Sequence, residues 1–148
     1  MLLWTEQFET GHPLVDTQHR MLISYINRLE DLAGNLNPSQ VEVELFLRFI
    51  EFLETYILTH FGEEEKCMHR FKCPVREENA TAHRAFLAFF RKFKLRLEVE
   101  GYRPEVVREL HGSCSAWIQQ HILRIDVQLK PCLNRPPSAD EPEAGTVP

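Results

Sequence analysis

His60-Phe61-Gly62-Glu63-Glu64 closes a long run of helical periodicity that begins near Val41. On a helix, a histidine and a carboxylate four residues apart lie about 40° apart around the axis and one turn apart along it, so both can face one interior point. Such a pair offers two metal ligands from a single helix. The fold then depends on whether the rest of the chain supplies helices to surround that point, and the function on whether it supplies further ligands.

The flanking sequence does predict helices. Asn37-Pro38-Ser39 forms a helix start, and Leu45, Phe49, Phe52, Leu53, Tyr56, Ile57 and His60 fall on one side of a helix expected over 38–68. Before it, an irregular arm carries Trp4 and Phe8, expected to tuck against the core. A helix opening at Asp16-Thr17 and ending at Gly34-Asn35 then places Leu22, Ile26 and Leu29 on one face with His19. Asp16 reads as its cap.

Phe71-Lys72-Cys73-Pro74 interrupts the pattern. A third helix over 75–98 aligns Ala82, Phe86, Leu87, Phe90, Phe93 and Leu97 and stops at Glu100-Gly101. A fourth, starting after Tyr102-Arg103-Pro104 and running to Pro131, aligns Val107, Leu110, Cys114, Trp117, Ile118 and His121. Four long helices with short connections predict an all-α, antiparallel up-down-up-down four-helix bundle. The bundle domain spans 1–133, and 134–148 is a tail or linker rich in Pro and acids with little to bury.

Composition narrows the function. At 148 residues the chain is one domain able to bury its core without disulfides. A formal net charge of −5, with Lys and Arg interleaved among acids, gives no footprint for nucleic acid or an anionic membrane. No apolar run is long enough to span a bilayer and no export signal is evident, so a cytoplasmic protein is expected. In that setting Cys67, Cys73, Cys114 and Cys132 are expected to be reduced thiols. A Cys67–Cys73 redox pair lacks support, and Cys67, His69 and Cys73 match no common zinc spacing.

His19, His60, Glu64, His83, His121 and Asp126 are thereby spread over all four helices. Any one buried histidine is more simply a hydrogen-bonded core residue. Burying all six without compensation costs roughly 1 to 3 kcal/mol or more for each group, so metal coordination is the better reading of the set. His12, His69 and His111 fall off these faces and read as solvated or outer-layer residues.

The chain resembles the bacteriohemerythrins over Trp4 to about Leu133. The likeness rests on Gly11-His12-Pro13-Leu14-Val15-Asp16-Thr17-Gln18-His19, His60-x-x-x-Glu64, Ala80-Thr81-Ala82-His83, and Trp117-Ile118-Gln119-Gln120-His121-Ile122-x-x-x-Asp126. The resemblance implies two iron ions, oxo- or hydroxo-bridged when oxidised, with Glu64 and Asp126 bridging them. It implies His19 and His60 on one iron, and His83, His121 and a third histidine on the other. Dioxygen or a small anion would bind the iron with fewer histidines, in a pocket lined by Phe61, Phe86, Trp117 and Ile118.

The third histidine maps to position 79, where this chain has Asn79. Water is the expected replacement, then Glu77 or Glu78, with the Asn79 amide last because a neutral amide is a poor iron donor. From His83, Asn79 lies about 40° around the helix whereas Glu78 and Glu77 lie about 140° and 120° away. Fewer imidazoles imply faster autoxidation and hence an oxygen or redox sensor more than a carrier, with the tail leading to an output domain such as a nucleotide cyclase. Oxygen carriage and a di-iron peroxidase or iron-handling role are the alternatives. A ferritin-like oxidase would need Glu-x-x-His on two helices, and Glu9-x-x-His12 precedes the first.

Overall fold

The computed structural model describes residues 1–134, and the Pro- and acid-rich remainder of the expected tail or linker lies outside them. Four long helices form the bundle: α1 Pro13–Ala33, α2 Gln40–Arg70, α3 Arg76–Glu100 and α4 Pro104–Arg124. A short α5, Leu129–Leu133, follows a 3-10 turn at Asp126–Gln128. Each long helix packs against its sequence neighbour and α1 closes the bundle on α4. Among the described residues there is no strand, and no helix is long and apolar enough to cross a membrane.

The helix starts have local causes. Ser39 accepts from the Glu42 backbone N–H while the Glu42 carboxylate accepts from the Ser39 N–H, a reciprocal cap that begins α2. Asp16 does not cap α1. His12 is the cap residue, its ring nitrogen accepting from the Val15 N–H. The Asp16 carboxylate instead accepts from both the N–H and the hydroxyl of Thr10, at 2.8 Å each, and so ties down the arm. Gly11 between them has a φ of 82°, a conformation that glycine adopts without steric cost. Phe8 is buried and Trp4 half-buried, so the arm packs as expected.

The expected face of α2 needs one correction. Phe46, Ile50, Leu53 and Ile57 form its inner stripe, while Leu45 and Phe52 are exposed. The helix carries a second apolar stripe, and Phe49, Phe52 and Tyr56 meet Tyr25 of α1 at 6.3, 5.1 and 5.2 Å between ring centres. The main core gathers Leu22, Ile26, Leu53, Ile57, Phe86, Phe90 and Leu110, among others. A second, smaller cluster of Val15, Cys67, Met68, Ile125 and Leu129 sits at the other end of the bundle. Between the two lies a layer of buried polar side chains.

The fourth helix does not run unbroken to Pro131. It ends at Arg124, and Ile125 leaves helical geometry with φ −116° and ψ −58°. His121 and Asp126 are five residues apart, about 140° around a regular helix, so both can reach one interior point only if the helix breaks between them. After the break α5 lies against the α2–α3 turn, where Cys132 pairs with Cys73 in a disulfide with Cα atoms 5.6 Å apart.

The expectation of four reduced thiols is therefore corrected. Cys73 meets Cys132, a residue 59 positions away, not Cys67. Closing so long a loop restrains the unfolded chain by about 4 kcal/mol in the chain-entropy account. Burial pushes the free thiols of Cys67 and Cys114 up to about 11 and about 12. Thiol titration of the air-purified protein should find no rapidly reacting thiol in the folded chain, two in denaturant, and four after reduction. Four in denaturant without reductant would rule out the bridge.

Candidate metal centre

The polar layer contains His19, His60, Glu64, Asn79, His83, His121 and Asp126, all buried. Helix α1 supplies His19; α2 supplies His60 and Glu64; α3 supplies Asn79 and His83; α4 and the turn after it supply His121 and Asp126. The six ligand candidates read from the sequence thus converge. His19, His60 and Glu64 form one group able to hold a metal, and Glu64, His83, His121 and Asp126 form a second.

The two carboxylates connect the groups. Glu64 Oε2 lies 2.9 Å from His19 Nε2 and 3.4 Å from His60 Nε2, while its Oε1 lies 3.2 Å from His83 Nε2. Asp126 Oδ2 lies 3.1 Å from His19 Nε2 and its Oδ1 lies 3.0 Å from His121 Nε2. Each carboxylate therefore turns one oxygen towards each histidine pair. Adjacent donors about 2.1 Å from a cation and at right angles to one another are roughly 3 Å apart, which is the spacing found here.

Hydrogen bonding alone does not satisfy this layer. His121 Nε2 has Asn79 Oδ1 at 2.8 Å, Asp126 Oδ1 at 3.0 Å and His83 Nε2 at 3.1 Å around it, yet it carries at most one hydrogen. Asp126 Oδ1 is buried without a hydrogen bond. A divalent cation among these atoms satisfies all of them, so the donor set fits a metal.

The far nitrogens of two imidazoles are held by residues that sequence reasoning missed. Gln18 Oε1 lies 2.8 Å from His60 Nδ1, and Glu65 Oε2 lies 3.3 Å from His83 Nδ1. Both arrangements leave Nε2 facing the centre, as a metal-ligating imidazole requires. The signal was available: each is a polar residue directly beside a ligand, and each ligating histidine needs such a partner.

Electrostatics in the metal-free chain follow from the same contacts. Burial alone would lower the His19 pKa, but hydrogen bonds and charges from Asp126 and Glu64 outweigh it and push the value up to about 10. Burial likewise opposes, and Glu64 and Glu65 overcome, a rise of His83 to about 9. For His60 burial dominates and the pKa falls. Burial would raise Glu64, yet hydrogen bonds from His19, His60 and His83 hold it well below the usual carboxylate range.

Aromatic rings wall the layer on one side. Phe61 stacks on His83 with ring centres 3.7 Å apart, Trp117 on His121 at 4.4 Å, and Phe86 on Trp117 at 4.2 Å. Phe61, Phe86, Trp117 and Ile118 also line a small apolar cavity with Leu22, Ile26, Leu53, Ile57 and Cys114. The four residues read as pocket lining from the sequence thus lie together beside the polar layer.

Glu77 and Glu78, expected as possible replacements for the third histidine that the resemblance implies, lie on the surface instead. Glu77 is 3.6 Å from the exposed His69, and Glu78 is 3.8 Å from Arg124. Their angular offset from His83 persists because α3 is already regular at Arg76. Of the three side chains weighed, only Asn79 enters the layer, where its Nδ2 donates to Glu64 Oε1 at 3.0 Å. His111, by contrast, lies near Glu30, away from the layer.

A family model described as the hemerythrin HHE cation binding domain matches residues 10–133. Among curated proteins, a bacteriohemerythrin of Pseudomonas aeruginosa is 29% identical over 126 residues, covering 84% of this chain and 76% of the relative. One of Clostridium acetobutylicum is 24% identical over 129 residues, covering 85% of this chain and 96% of the relative. A solved wild-type hemerythrin has a TM-score of 0.75 at 20% identity, covering 91% of this chain and 99% of that one, a likeness of fold.

Proposed function

The chain belongs to the hemerythrin HHE cation-binding family, and on that footing we propose that it is a non-haem di-iron protein that binds dioxygen and acts as an oxygen or redox sensor. One observation carries the reading: Glu64 and Asp126 each offer one oxygen to His19 and the other to the His83–His121 pair. That arrangement suits two cations side by side better than one. Iron bound there would supply one-electron redox at each metal and a coordination position for dioxygen or a small anion.

The protein's own residues hold and insulate that position. Gln18 and Glu65 fix the His60 and His83 rings. Phe61, Phe86 and Trp117 cover the layer and keep bulk water away. The sensor role rests on Asn79: a neutral amide holds iron less firmly than the imidazole implied by the family pattern, leaving the reduced centre more open to oxidation.

Metal analysis after anaerobic loading, with absorption spectra before and after air, tests both levels. Two irons per chain and oxo-bridged bands after air are expected; fewer irons or no such bands would sink the di-iron reading. Oxidation in air should be slower in Asn79→His than in the wild type. Equal rates, with dioxygen released intact from both, would favour a carrier.

A further inference from the structure

We infer that Asn79 is a metal ligand through its side-chain oxygen, completing the donor set of the His83–His121 position. The inference rests on the di-iron reading above and goes beyond it by assigning the position that the family pattern gives to histidine.

The orientation of the amide follows from its neighbours. Asn79 is fully buried, and its side chain lies between Glu64 Oε1 at 3.0 Å and His121 Nε2 at 2.8 Å. Asn79 Nδ2 donates to Glu64 Oε1, and Asn79 Oδ1 lies against His121 Nε2. The amide nitrogen thus faces Glu64 and the carbonyl oxygen faces His121.

In the metal-free chain a hydrogen on His121 Nε2 can donate to that oxygen. When His121 binds a metal, the same nitrogen uses its lone pair and loses the hydrogen. Two acceptors 2.8 Å apart would then repel unless one cation lies against both. The 2.8 Å separation also falls near the roughly 3 Å expected between neighbouring donors on one metal.

The assignment gives the two positions unequal donor sets. His83, His121, Asn79, Glu64 and Asp126 make five donors at one, whereas His19, His60, Glu64 and Asp126 make four at the other. A small ligand would meet more open coordination at the His19–His60 position. The amide hydrogen on Glu64 Oε1 also steadies the shared carboxylate, so Asn79 both ligates and positions.

Cobalt(II) titration of the metal-free protein tests this, followed by circular dichroism and by visible bands that report coordination number. The wild type should bind two cobalt ions. Asn79→Ala should bind one normally and the second at least about tenfold more weakly, with altered visible bands. Asn79→Asp, which keeps an oxygen donor but loses the hydrogen bond to Glu64, should hold the second ion within a few-fold of the wild type. Wild-type affinity for both ions in Asn79→Ala, or Asn79→Asp falling alongside Asn79→Ala, would overturn ligation by Asn79 while the di-metal reading stands. Fewer than two ions in the wild type would overturn both.

Discussion

Glu64→Gln is expected to fold as a helical bundle and to retain neither metal. The carboxylate of Glu64 reaches three histidines, with Oε2 at 2.9 Å from His19 and 3.4 Å from His60, and Oε1 at 3.2 Å from His83. An amide in its place turns one of those two oxygens into an NH2 group, which donates and cannot ligate, whichever way it is oriented. It also removes one of the two buried carboxylates that would face the two cations of the proposed centre.

One position loses its donor outright and the other keeps only a neutral amide oxygen in place of a carboxylate oxygen, so affinity should fall by more than the roughly 10- to 100-fold typical of an outer hydrogen-bond partner. Glu65→Gln is the control, because Glu65 touches only the far nitrogen of His83 at 3.3 Å. It should lower affinity within that range and keep two metals. Metal content after anaerobic loading and desalting, with circular dichroism for the fold, reads the result. Two firmly held metals in Glu64→Gln would show that the carboxylate does not join the positions.

Much of this centre was legible because helical spacing is a strong constraint. His60 with Glu64, and Asn79 with His83, are each four residues apart, and regular helices carry both pairs to the same interior layer. The stop at Gly101 was equally local, whereas the cap expected at Asn37, with Pro38 in the first turn, falls instead on Ser39, where Glu42 completes a reciprocal pair. What failed was non-local or two-sided. Leu45 and Phe52 were assigned inward because α2 bears two apolar stripes, and periodicity cannot say which one meets the core.

The end of α4 failed for a different reason. No glycine or proline marks Ile125, so the punctuation of the sequence runs straight past it. The angle between His121 and Asp126 contained the answer, since placing both on one interior point demands a break. The Cys73–Cys132 pair was hidden too, because a contact across 59 residues leaves no mark in local periodicity. Asp16 was misread similarly: its partner Thr10 lies in the irregular arm, where no periodicity guides the eye.

The apparent affinity of the centre for iron(II) or cobalt(II) is expected to rise steeply with pH up to about 9, flattening near 10. A ligating imidazole needs its Nε2 lone pair, so a protonated histidine must release its proton on binding. Burial disfavours charge on His19 and His83, but Glu64 and Asp126 overcome it and hold their values at about 10 and about 9. Both therefore carry protons at neutral pH in the metal-free chain. His60, lowered by burial, is already neutral, and Glu64 is ionised throughout, so neither adds to the slope. One proton released at each position gives about a tenfold gain in affinity for each metal, and about a hundredfold for loading both, per pH unit below 9.

Stability of the metal-free chain must run the other way. His19 and His83 have folded values raised above 6.5, so their contribution is fully present below pH 6.5 and is lost as pH rises through about 9 and about 10. The metal-free melting temperature should fall between pH 7 and 10, whereas the loaded protein, whose imidazoles are held by metal instead of protons, should not follow. Calorimetry in buffers of different ionisation enthalpy counts the released protons, and melting curves give the second trend. An affinity independent of pH between 7 and 9, with no proton release, would mean that His19 and His83 are neutral before metal arrives.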